Sequence, residues 1–261
     1  IGDGLVRVGA GHEWDDVVRR TVEAGLSGIE DLSFIPGTAG ATPVQNFGAY
    51  GQESANDLVS LRAYDSQKKE FVEIKNADCA FGFRTSRFKT TDKDRFIIVS
   101  INLQLSHEPP TPPFYESLQS YLDENNIHKY SPQIIRDAVI AIRTDKLPDP
   151  HEYANDGSFF MNPIIDKARY QKLKSNFPDI KAWPLPDGMV KISAGWLIEQ
   201  AGFHDYHDKE TGMATWAKQA LVLINESAKS TKDLLKFKQK IVDAIEVKFG
   251  IILEQEPELI S

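Results

Sequence analysis

The chain of 261 residues is 41% hydrophobic and 26% charged, and its 30 Lys and Arg against 38 Asp and Glu give a net charge of −8. This composition predicts a packed core in one large domain or two modest ones, and it excludes wholesale disorder. The acidic balance argues against a nucleic-acid-binding surface, which would show a basic face.

The few cysteines and histidines restrict the chemistry further. Cys79 is the only cysteine of the sequence, so an internal disulfide is excluded, which fits a reducing compartment. His204 and His207 stand three residues apart without a third ligand at a suitable spacing, and we expect solvated surface there and no metal site. No run approaches the roughly 20 apolar residues that a membrane helix needs.

The first 105 residues predict α+β structure that is built mainly on a sheet. Because the opening residues IGDGLVRVGAG already have the pattern of a strand, we expect the native N-terminus to be missing. Apolar alternation, apolar runs and helical spacing define the elements. Strands are predicted over residues 5–8, 58–64, 70–74 and 94–105, the middle two as a hairpin, and a helix over residues 13–24.

A loop of short residues, SFIPGTAGATPVQNFGAYG, occupies residues 33–51. It is dense in Gly, Ala, Thr and Pro and nearly free of charge, so its backbone can approach a ligand closely and its glycines allow positive φ. It matches neither G-x-x-x-x-G-K-[ST] nor G-x-G-x-x-G. By itself the loop therefore indicates either a phosphate- or cofactor-facing segment or a structural turn.

Helices dominate after the stiff connector EPPTPP at residues 108–113. Apolar residues recur there at helical spacing, most regularly in the long segment that starts at Ser230. Helices are predicted over residues 132–143, 165–177, 193–201 and 230–249, and strands over residues 189–192, 219–224 and 251–253.

Residues 146–163, KLPDPHEYANDGSFFMNP, predict a rigid loop. Its three prolines and its polar turn formers argue against both a core strand and a helix. Phe159 and Phe160 nevertheless predict apolar packing beside Ser158 and Asn162. Rigid loops of this kind often carry reacting groups.

Three side chains are candidates for chemistry, and each has a structural alternative. Ser158 has the nucleophile's hydroxyl but lacks the G-x-S-x-G elbow and an obvious base, so a turn-forming serine is the better interpretation from motif alone. Arg84 has the fork that binds a carboxylate, although a lone arginine is more often a surface residue. Glu256 is a candidate acid-base carboxylate, although glutamates near an acidic C-terminus are usually solvated.

Seven motifs in a fixed order favour the functional interpretation of these residues over the structural one. They are IPGTAGATPVQNFGAYG (35–51), FGFRTSRFK (81–89), RTDKLPDP (143–150), GSFFMNP (157–163), AGWLIEQAG (194–202), QALVLIN (219–225) and LEQEPELI (253–260). Together they resemble the UDP-N-acetylenolpyruvoylglucosamine reductases, flavoenzymes of bacterial peptidoglycan synthesis, over essentially the whole chain. The resemblance implies a cytoplasmic, monomeric enzyme of cell-wall biogenesis, and hence of cell shape and division, that uses FAD and NADPH on a UDP-sugar enolpyruvyl ether.

The resemblance also implies roles for individual residues. Ser158 matches the serine that donates a proton to the substrate carbon, and Arg84 and Glu256 match the active-site arginine and glutamate. We expect these three side chains to meet in one cleft beside the loop of residues 33–51. The substrate-binding positions are Tyr115, Lys146, Asn162, Gln219 and Trp183. The FAD-facing positions are Pro36, Gly37, Gly40, Ala41, Thr42, Gln45, Gly48 and Ile98.

The resembled fold is α+β: the C-terminal part of a PCMH-type FAD-binding domain is followed by an α+β substrate-binding domain. The domain division is 1–119 for the FAD domain, 120–250 for a linker helix and the substrate domain, and 251–261 for a C-terminal strand that returns to the flavin site. Tyr115 points to the larger subtype of the family. The Gly-rich G-G-G-S-N loop of the first FAD subdomain is absent from these residues, so we expect a chain that lacks that subdomain and holds FAD weakly.

Two residues depart from the family pattern, and two other functions remain open. Phe83 stands where many members have tyrosine, and Trp183 stands where a tyrosine is expected over the nucleotide, although an indole also stacks on uracil. One alternative is a flavin oxidase with the same type of FAD domain. The other is a non-catalytic sugar-nucleotide binding module.

Overall fold

The computed structural model describes residues 3–259, which divide between Arg143 and Thr144 into two compact units. Residues 1, 2, 260 and 261 belong to the first and last predicted domain segments and lie outside the described residues. The domain boundaries predicted from the family stay predictions. Within residues 3–259, no helix combines the length and the apolar character needed to cross a membrane.

The first unit is built on a four-stranded antiparallel sheet in the order β1-β6-β4-β5. Its apolar face packs against helix α1 in a core around Trp14, Leu61 and Ile101. The elements in chain order are β1 (Leu5–Gly9), α1 (Trp14–Glu23), β2 (Gly48–Ala49), β3 (Gln52–Glu53), α2 (Ser54–Asp57), β4 (Leu58–Asp65), β5 (Glu70–Lys75), β6 (Phe96–Gln104), α3 (Glu116–Glu124) and α4 (Pro132–Lys146). This confirms the predicted strands, the hairpin and the helix of the first 105 residues.

The second unit contains two small antiparallel sheets, in the orders β8-β10-β9 and β11-β12-β13-β7, and a long helix. Helix α7 packs Phe237, Ile241 and Ile245 into the main core. The elements are β7 (Ala154–Ser158), β8 (Ile164–Ile165), α5 (Lys167–Asn176), β9 (Ala182–Pro184), β10 (Val190–Ile192), α6 (Ala194–Ile198), β11 (His207–Asp208), β12 (Met213–Trp216), β13 (Gln219–Asn225) and α7 (Thr231–Phe249).

Two sequence predictions in this part of the chain are wrong. The rigid loop of residues 146–163 includes strand β7, which tolerates its glycine because it lies at the edge of its sheet. The strand predicted over residues 251–253 is absent from the described chain. That segment is extended and makes one isolated bridge between Phe160 and Gln255, and Pro257 cannot continue a ladder because it has no N–H.

Two predicted helices of this unit are confirmed with different ends. The helix predicted from residue 165 begins at Lys167, because the Asp166 side chain accepts from the Arg169 N–H at 2.8 Å and caps it. The helix predicted over residues 193–201 ends as α-helix at Ile198 and continues as a π-helical turn to Phe203. Helix α3 and strands β9 and β12 were not predicted.

Candidate active site

The loop of residues 33–51 is held rigidly in the first unit by backbone hydrogen bonds. The Trp14 N–H donates to the Gly37 carbonyl at 2.9 Å, and the Gly40 N–H donates to the Ala10 carbonyl at 2.9 Å. A Cβ on Gly40 would stand 2.6 Å from that of Ala10, so only glycine fits this close approach. The loop is therefore a fixed surface.

Small residues are exposed along residues 36–41 of this loop. Pro36, Gly37 and Ala41 are exposed, and Gly37 has φ +121° with no atom within 4 Å of where a Cβ would stand. Thr42 is buried, and its hydroxyl donates to the Ala39 carbonyl at 2.9 Å. Short exposed residues of this kind allow a ligand to approach the backbone closely.

The other residues predicted to face FAD lie beside this surface or behind it. Gln45 accepts a hydrogen bond from Lys89 Nζ at 3.4 Å. Gly48 lies in β2, where a Cβ would stand 2.4 Å from the Gln52 carbonyl oxygen. Ile98 is half-buried against the core of the first unit. The close approach of the Gln52 backbone thus requires glycine at position 48.

Arg84 lies in a tight turn that presses its guanidinium against the same loop. The Gly82 N–H donates to the Thr85 carbonyl at 3.0 Å, and Arg84 occupies the left-handed region with φ +53°. Its Nη2 donates to the Gly48 carbonyl at 2.6 Å, and its Cζ lies 5.3 Å from the centroid of the Phe83 ring. A non-glycine residue in this conformation carries backbone strain, which the hydrogen bonds offset.

Two buried polar residues join this turn to the loop, and sequence reasoning did not single them out. The Asn46 Nδ2 donates to the Gly82 carbonyl at 3.1 Å, and its Oδ1 accepts from the Ala55 N–H at 3.0 Å. The Ser86 hydroxyl donates to the Val44 carbonyl at 2.5 Å. Buried amide and hydroxyl groups of this kind are costly unless they are paired, so they fix the turn in one position.

Tyr115 lines a cavity of about 750 Å³ in the first unit. Its ring meets Tyr50 edge-on, with centroids 6.0 Å apart. The cavity is also lined by three carboxylates, Glu30, Asp31 and Asp57. Sequence reasoning missed this group, because only folding brings Asp57 beside the other two.

Burial alters the protonation of these three carboxylates. Desolvation raises the pKa of Asp31 to about 7, helped by repulsion from Glu30 and Asp57, and within the described chain Asp31 Oδ1 has no hydrogen-bond partner. Desolvation also raises the pKa of Asp57 to about 7, although Gln52 Nε2 donates to it at 2.8 Å. The pKa of Glu30 is raised for the same reason.

In the second unit, Ser158 and Glu256 lie on neighbouring chain segments. Ser158 is exposed at the end of β7, and the segment that follows it pairs with the C-terminal segment. The Glu256 N–H donates to the Phe159 carbonyl at 2.8 Å, and the Met161 N–H donates to the Glu254 carbonyl at 2.9 Å. These two bonds bring together two predicted catalytic residues that are far apart in sequence.

Core packing and a side-chain bridge support these two segments. Phe159 and Phe160 are buried, and their rings pack edge-on with centroids 5.1 Å apart. From helix α7, Lys238 Nζ donates to Gln255 Oε1 at 2.8 Å, and Gln255 Nε2 donates to the Pro257 carbonyl at 2.7 Å. The backbone on both sides of Glu256 is therefore fixed by hydrogen bonds.

Two predicted substrate-binding residues meet at the start of helix α6. The Asn162 Oδ1 accepts from the Ala194 N–H at 2.9 Å. Gln219 Oε1 lies 3.3 Å from where a Cβ on Gly195 would stand, which is tighter than ordinary contact. Asn162 thus satisfies one of the unpaired N–H groups at a helix end, and Gln219 lies beside it.

Lys146 and Trp183 are the remaining predicted substrate-binding residues of this unit. Lys146 is exposed in the last turn of α4, and its carbonyl accepts from Trp216 Nε1 at 3.0 Å. The Trp183 side chain is 37% exposed, and Lys191 Nζ lies 5.4 Å from its ring centroid. An exposed indole beside an ammonium group suits a flat aromatic ligand.

Each unit thus collects a subset of the predicted site residues. Arg84 contacts the loop of residues 33–51 in the first unit, whereas Ser158 and Glu256 lie on adjoining segments of the second unit. The meeting of all three stays a prediction.

Comparison with known proteins gives matches over nearly the whole chain. The family model described as "UDP-N-acetylenolpyruvoylglucosamine reductase, C-terminal domain" matches residues 149–260, and the model described as "FAD binding domain" matches residues 2–73. The first match covers Ser158, Asn162, Gln219 and Glu256. The second covers the whole loop of residues 33–51.

Curated relatives and a solved structure agree with these models. The UDP-N-acetylenolpyruvoylglucosamine reductase of Ralstonia nicotianae is 43% identical over 255 residues, covering 98% of this chain and 74% of the relative. The enzyme of the same name from Neisseria meningitidis serogroup B is 40% identical, covering 97% of this chain and 73% of the relative. The structure of the Thermus caldophilus UDP-N-acetylenolpyruvylglucosamine reductase aligns with a TM-score of 0.64 at 20% identity, covering 97% of this chain and 71% of that one.

Proposed function

The chain belongs to the UDP-N-acetylenolpyruvoylglucosamine reductase family, and from this premise we propose that it reduces UDP-N-acetylglucosamine enolpyruvate to UDP-N-acetylmuramate in peptidoglycan synthesis. It is an FAD-dependent oxidoreductase with the FAD domain and α+β domain of that family. The observation that carries the proposal is the 43% identity to a reductase of this name over 98% of the chain.

FAD and NADPH supply the electrons of this reaction. When bound, the flavin would supply the hydride for the enolpyruvyl double bond, and NADPH would supply the electrons that reduce the flavin. The exposed small residues Pro36, Gly37 and Ala41 support a flavin-facing role for the loop, since short side chains let a ring approach the backbone closely. Thr42 contributes to that role by shaping the loop, because its hydroxyl is bonded inside it.

Ser158 is the proposed proton donor. Addition of a hydride to the double bond leaves carbanion character on the carbon next to the substrate carboxylate, and that carbon takes the Ser158 hydroxyl proton. A serine hydroxyl is a very weak acid, so its alkoxide needs stabilisation, for which we assign the Lys146 ammonium or the Asn162 amide. Water then returns a proton to Ser158. The exposure of Ser158 supports access to the substrate.

Arg84 and Glu256 are the proposed stabilisers of the developing negative charge. A guanidinium binds a carboxylate through two parallel hydrogen bonds, and a protonated carboxyl donates one more. The turn that fixes Arg84 supports this role, because a preorganised cation needs no rearrangement during reaction. Substrate positioning is assigned to Tyr115, Lys146, Asn162, Gln219 and Trp183.

We further propose that the enzyme works in the cytoplasm, as a monomer and without a nucleic-acid partner. The net charge of −8 argues against a nucleic-acid partner, and the lone cysteine fits a reducing compartment. Size-exclusion chromatography with light scattering tests the oligomeric state. A mass of two or more chains would contradict the monomer.

Colour tests the function. The purified flavin-loaded enzyme should be yellow, bleach when NADPH is added without oxygen, and recover its colour when UDP-N-acetylglucosamine enolpyruvate follows. Mass spectrometry should then find a product heavier than the substrate by two hydrogens. Recovery of colour with oxygen but not with this substrate would favour the flavin oxidase, and a colourless protein that binds the UDP-sugar would favour the binding module.

A further inference from the structure

The strand that carries Ser158 contains a β-bulge. Strand β7 pairs antiparallel with β13 so that Asn155 lies opposite Ile224 and Ser158 lies opposite Val222. Three residue steps along β7 therefore correspond to two steps along β13, and one extra residue lies between Asn155 and Ser158. Bulges of this kind redirect the side chains that follow them.

This bulge decides which face of the sheet Ser158 occupies. Asn155 and Ser158 are three residues apart and would point to opposite faces of a regular strand. The extra residue brings both to the face of Val222, while Phe159 enters the opposite core that contains Leu221. The Phe159 N–H donates to the Leu221 carbonyl at 2.9 Å, which fixes the new register. Without the bulge, the Ser158 hydroxyl would face that core.

The Asn155 side chain holds the bulge in place. Its Oδ1 accepts from the Gly157 N–H at 2.9 Å, and its Nδ2 donates to the Tyr153 carbonyl at 2.8 Å. This Asx turn satisfies an N–H that the bulge removes from the sheet ladder. Gly157 has φ +69° and open space where a Cβ would stand, so glycine is needed there for its backbone conformation alone.

We propose that Asn155 is a positioning residue for proton donation by Ser158, an inference that rests on the proposed function. Asn155 acts through the backbone: its two hydrogen bonds stabilise the bulge, and the bulge turns Ser158 to the face opposite the core of Phe159 and Leu221, where Ser158 is exposed. Loss of these bonds should displace the hydroxyl and slow the step that uses its proton. Reduction of the flavin by NADPH does not use that proton and should be unaffected.

Four variants of the flavin-loaded enzyme test this inference by stopped-flow measurement of the two half-reactions. Asn155→Ala removes both hydrogen bonds, Asn155→Asp keeps the acceptor for Gly157, and Gly157→Ala strains the bulge without touching Asn155. Asn225→Ala is the matched control, because Asn225 Oδ1 accepts from the Ala228 N–H at 2.7 Å in a similar turn at the end of β13.

The expected pattern separates positioning from general stability. Flavin reoxidation by the enolpyruvyl substrate should be about 10²-fold slower in Asn155→Ala and Gly157→Ala, a typical result of moving a reacting group by about 1 Å. The reoxidation rate of Asn155→Asp should lie between the rates of these variants and that of the unsubstituted enzyme. The reoxidation rate of Asn225→Ala should equal that of the unsubstituted enzyme. Reduction by NADPH should be unchanged in all four.

Two results would overturn the inference while leaving the proposed function intact. One is reoxidation at the unsubstituted rate in both Asn155→Ala and Gly157→Ala. The other is an equal loss in Asn225→Ala, which would show that any loosening of this sheet has the same effect. If a thermal scan shows that Asn155→Ala does not fold, the reoxidation rates of Gly157→Ala and Asn155→Asp test the inference in its place. Failure of the substrate to reoxidise the unsubstituted enzyme would instead contradict the proposed function itself.

Discussion

Replacing Asp31 with asparagine should make the first unit more stable at neutral pH and should flatten its pH dependence. The pKa of Asp31 is about 7 in the folded chain against an ordinary value of 3.8, a difference of about 3 pH units. At about 1.4 kcal/mol per unit, ionising this carboxyl costs up to about 4 kcal/mol more in the folded chain than in the unfolded chain.

The direction of the effect follows from the raised pKa. Below about pH 4 the carboxyl is neutral in both states and costs nothing. Between about pH 4 and pH 7 the unfolded chain has released its proton while the folded chain still holds it, so the free energy of unfolding falls as the pH rises. Above about pH 7 the carboxyl is ionised in both states, and the free energy of unfolding stays level. The variant lacks the Asp31 carboxyl but keeps Glu30 and Asp57, so part of the pH dependence remains, and at pH 8 its free energy of unfolding should exceed that of the unsubstituted protein by up to about 4 kcal/mol.

Pulse-labelling hydrogen exchange measures this effect in the first unit alone. The protein is equilibrated in urea at each pH from 4 to 8, labelled briefly at one fixed pH, and read in peptides from the four-stranded sheet. Asp123→Asn, an exposed change on helix α3, is the control for the substitution itself. Parallel pH profiles for Asp31→Asn and the unsubstituted protein would refute the reasoning.

Other substitutions test the second unit. Lys238→Met removes the hydrogen bond to Gln255 and should slow flavin reoxidation more than it changes substrate affinity, as stopped-flow titration would reveal; a pure change in affinity would contradict the role. Trp183→Ala should weaken substrate binding by about 10- to 100-fold, since loss of a stacked base costs about 1–3 kcal/mol, whereas Trp183→Phe should restore most of it in calorimetric titration. Phe160→Ala should lower the free energy of unfolding by about 3–5 kcal/mol in urea titration, because the ring is buried in the core; a loss below about 1 kcal/mol would show that the site collapses.

Elements with strong local patterns were predictable from sequence. The apolar run of β13 and the helical spacing of α7 need no knowledge of partners, because each pattern specifies its own element. Strand β7 was missed for the opposite reason: its glycine and polar residues disfavour a strand locally, and only pairing with β13 makes it one. The segment after α7 was wrongly predicted to be a strand. Its backbone hydrogen bonds between Glu254 and Met161 and between Glu256 and Phe159 join it to residues that follow Ser158 in the chain, and this pairing cannot be read from the local sequence.

The candidate site, like the fold, was only partly predictable from the sequence. Ordered motifs singled out Ser158 and Glu256 as candidates, but their placement on adjoining segments depends on a register that the sequence does not display. The carboxylates of Asp31 and Asp57 look like solvated surface in the sequence, because desolvation arises only when distant residues cover them. Asn155 lay within a stretch of turn formers that predicted a loop, and the structure forms an Asx turn at this residue inside strand β7.

The most direct test of the central claim is a single turnover of the flavin in Ser158→Ala and Ser158→Cys. Each flavin-loaded variant is reduced by NADPH without oxygen, mixed with UDP-N-acetylglucosamine enolpyruvate, and followed by flavin absorbance. Ser158→Ala should be reduced at the unsubstituted rate but reoxidised about 10²- to 10⁴-fold more slowly, the usual contribution of a positioned acid. Ser158→Cys retains an ionisable proton and should recover part of that loss. Reoxidation of Ser158→Ala at the unsubstituted rate would contradict the assignment of Ser158 as the proton donor.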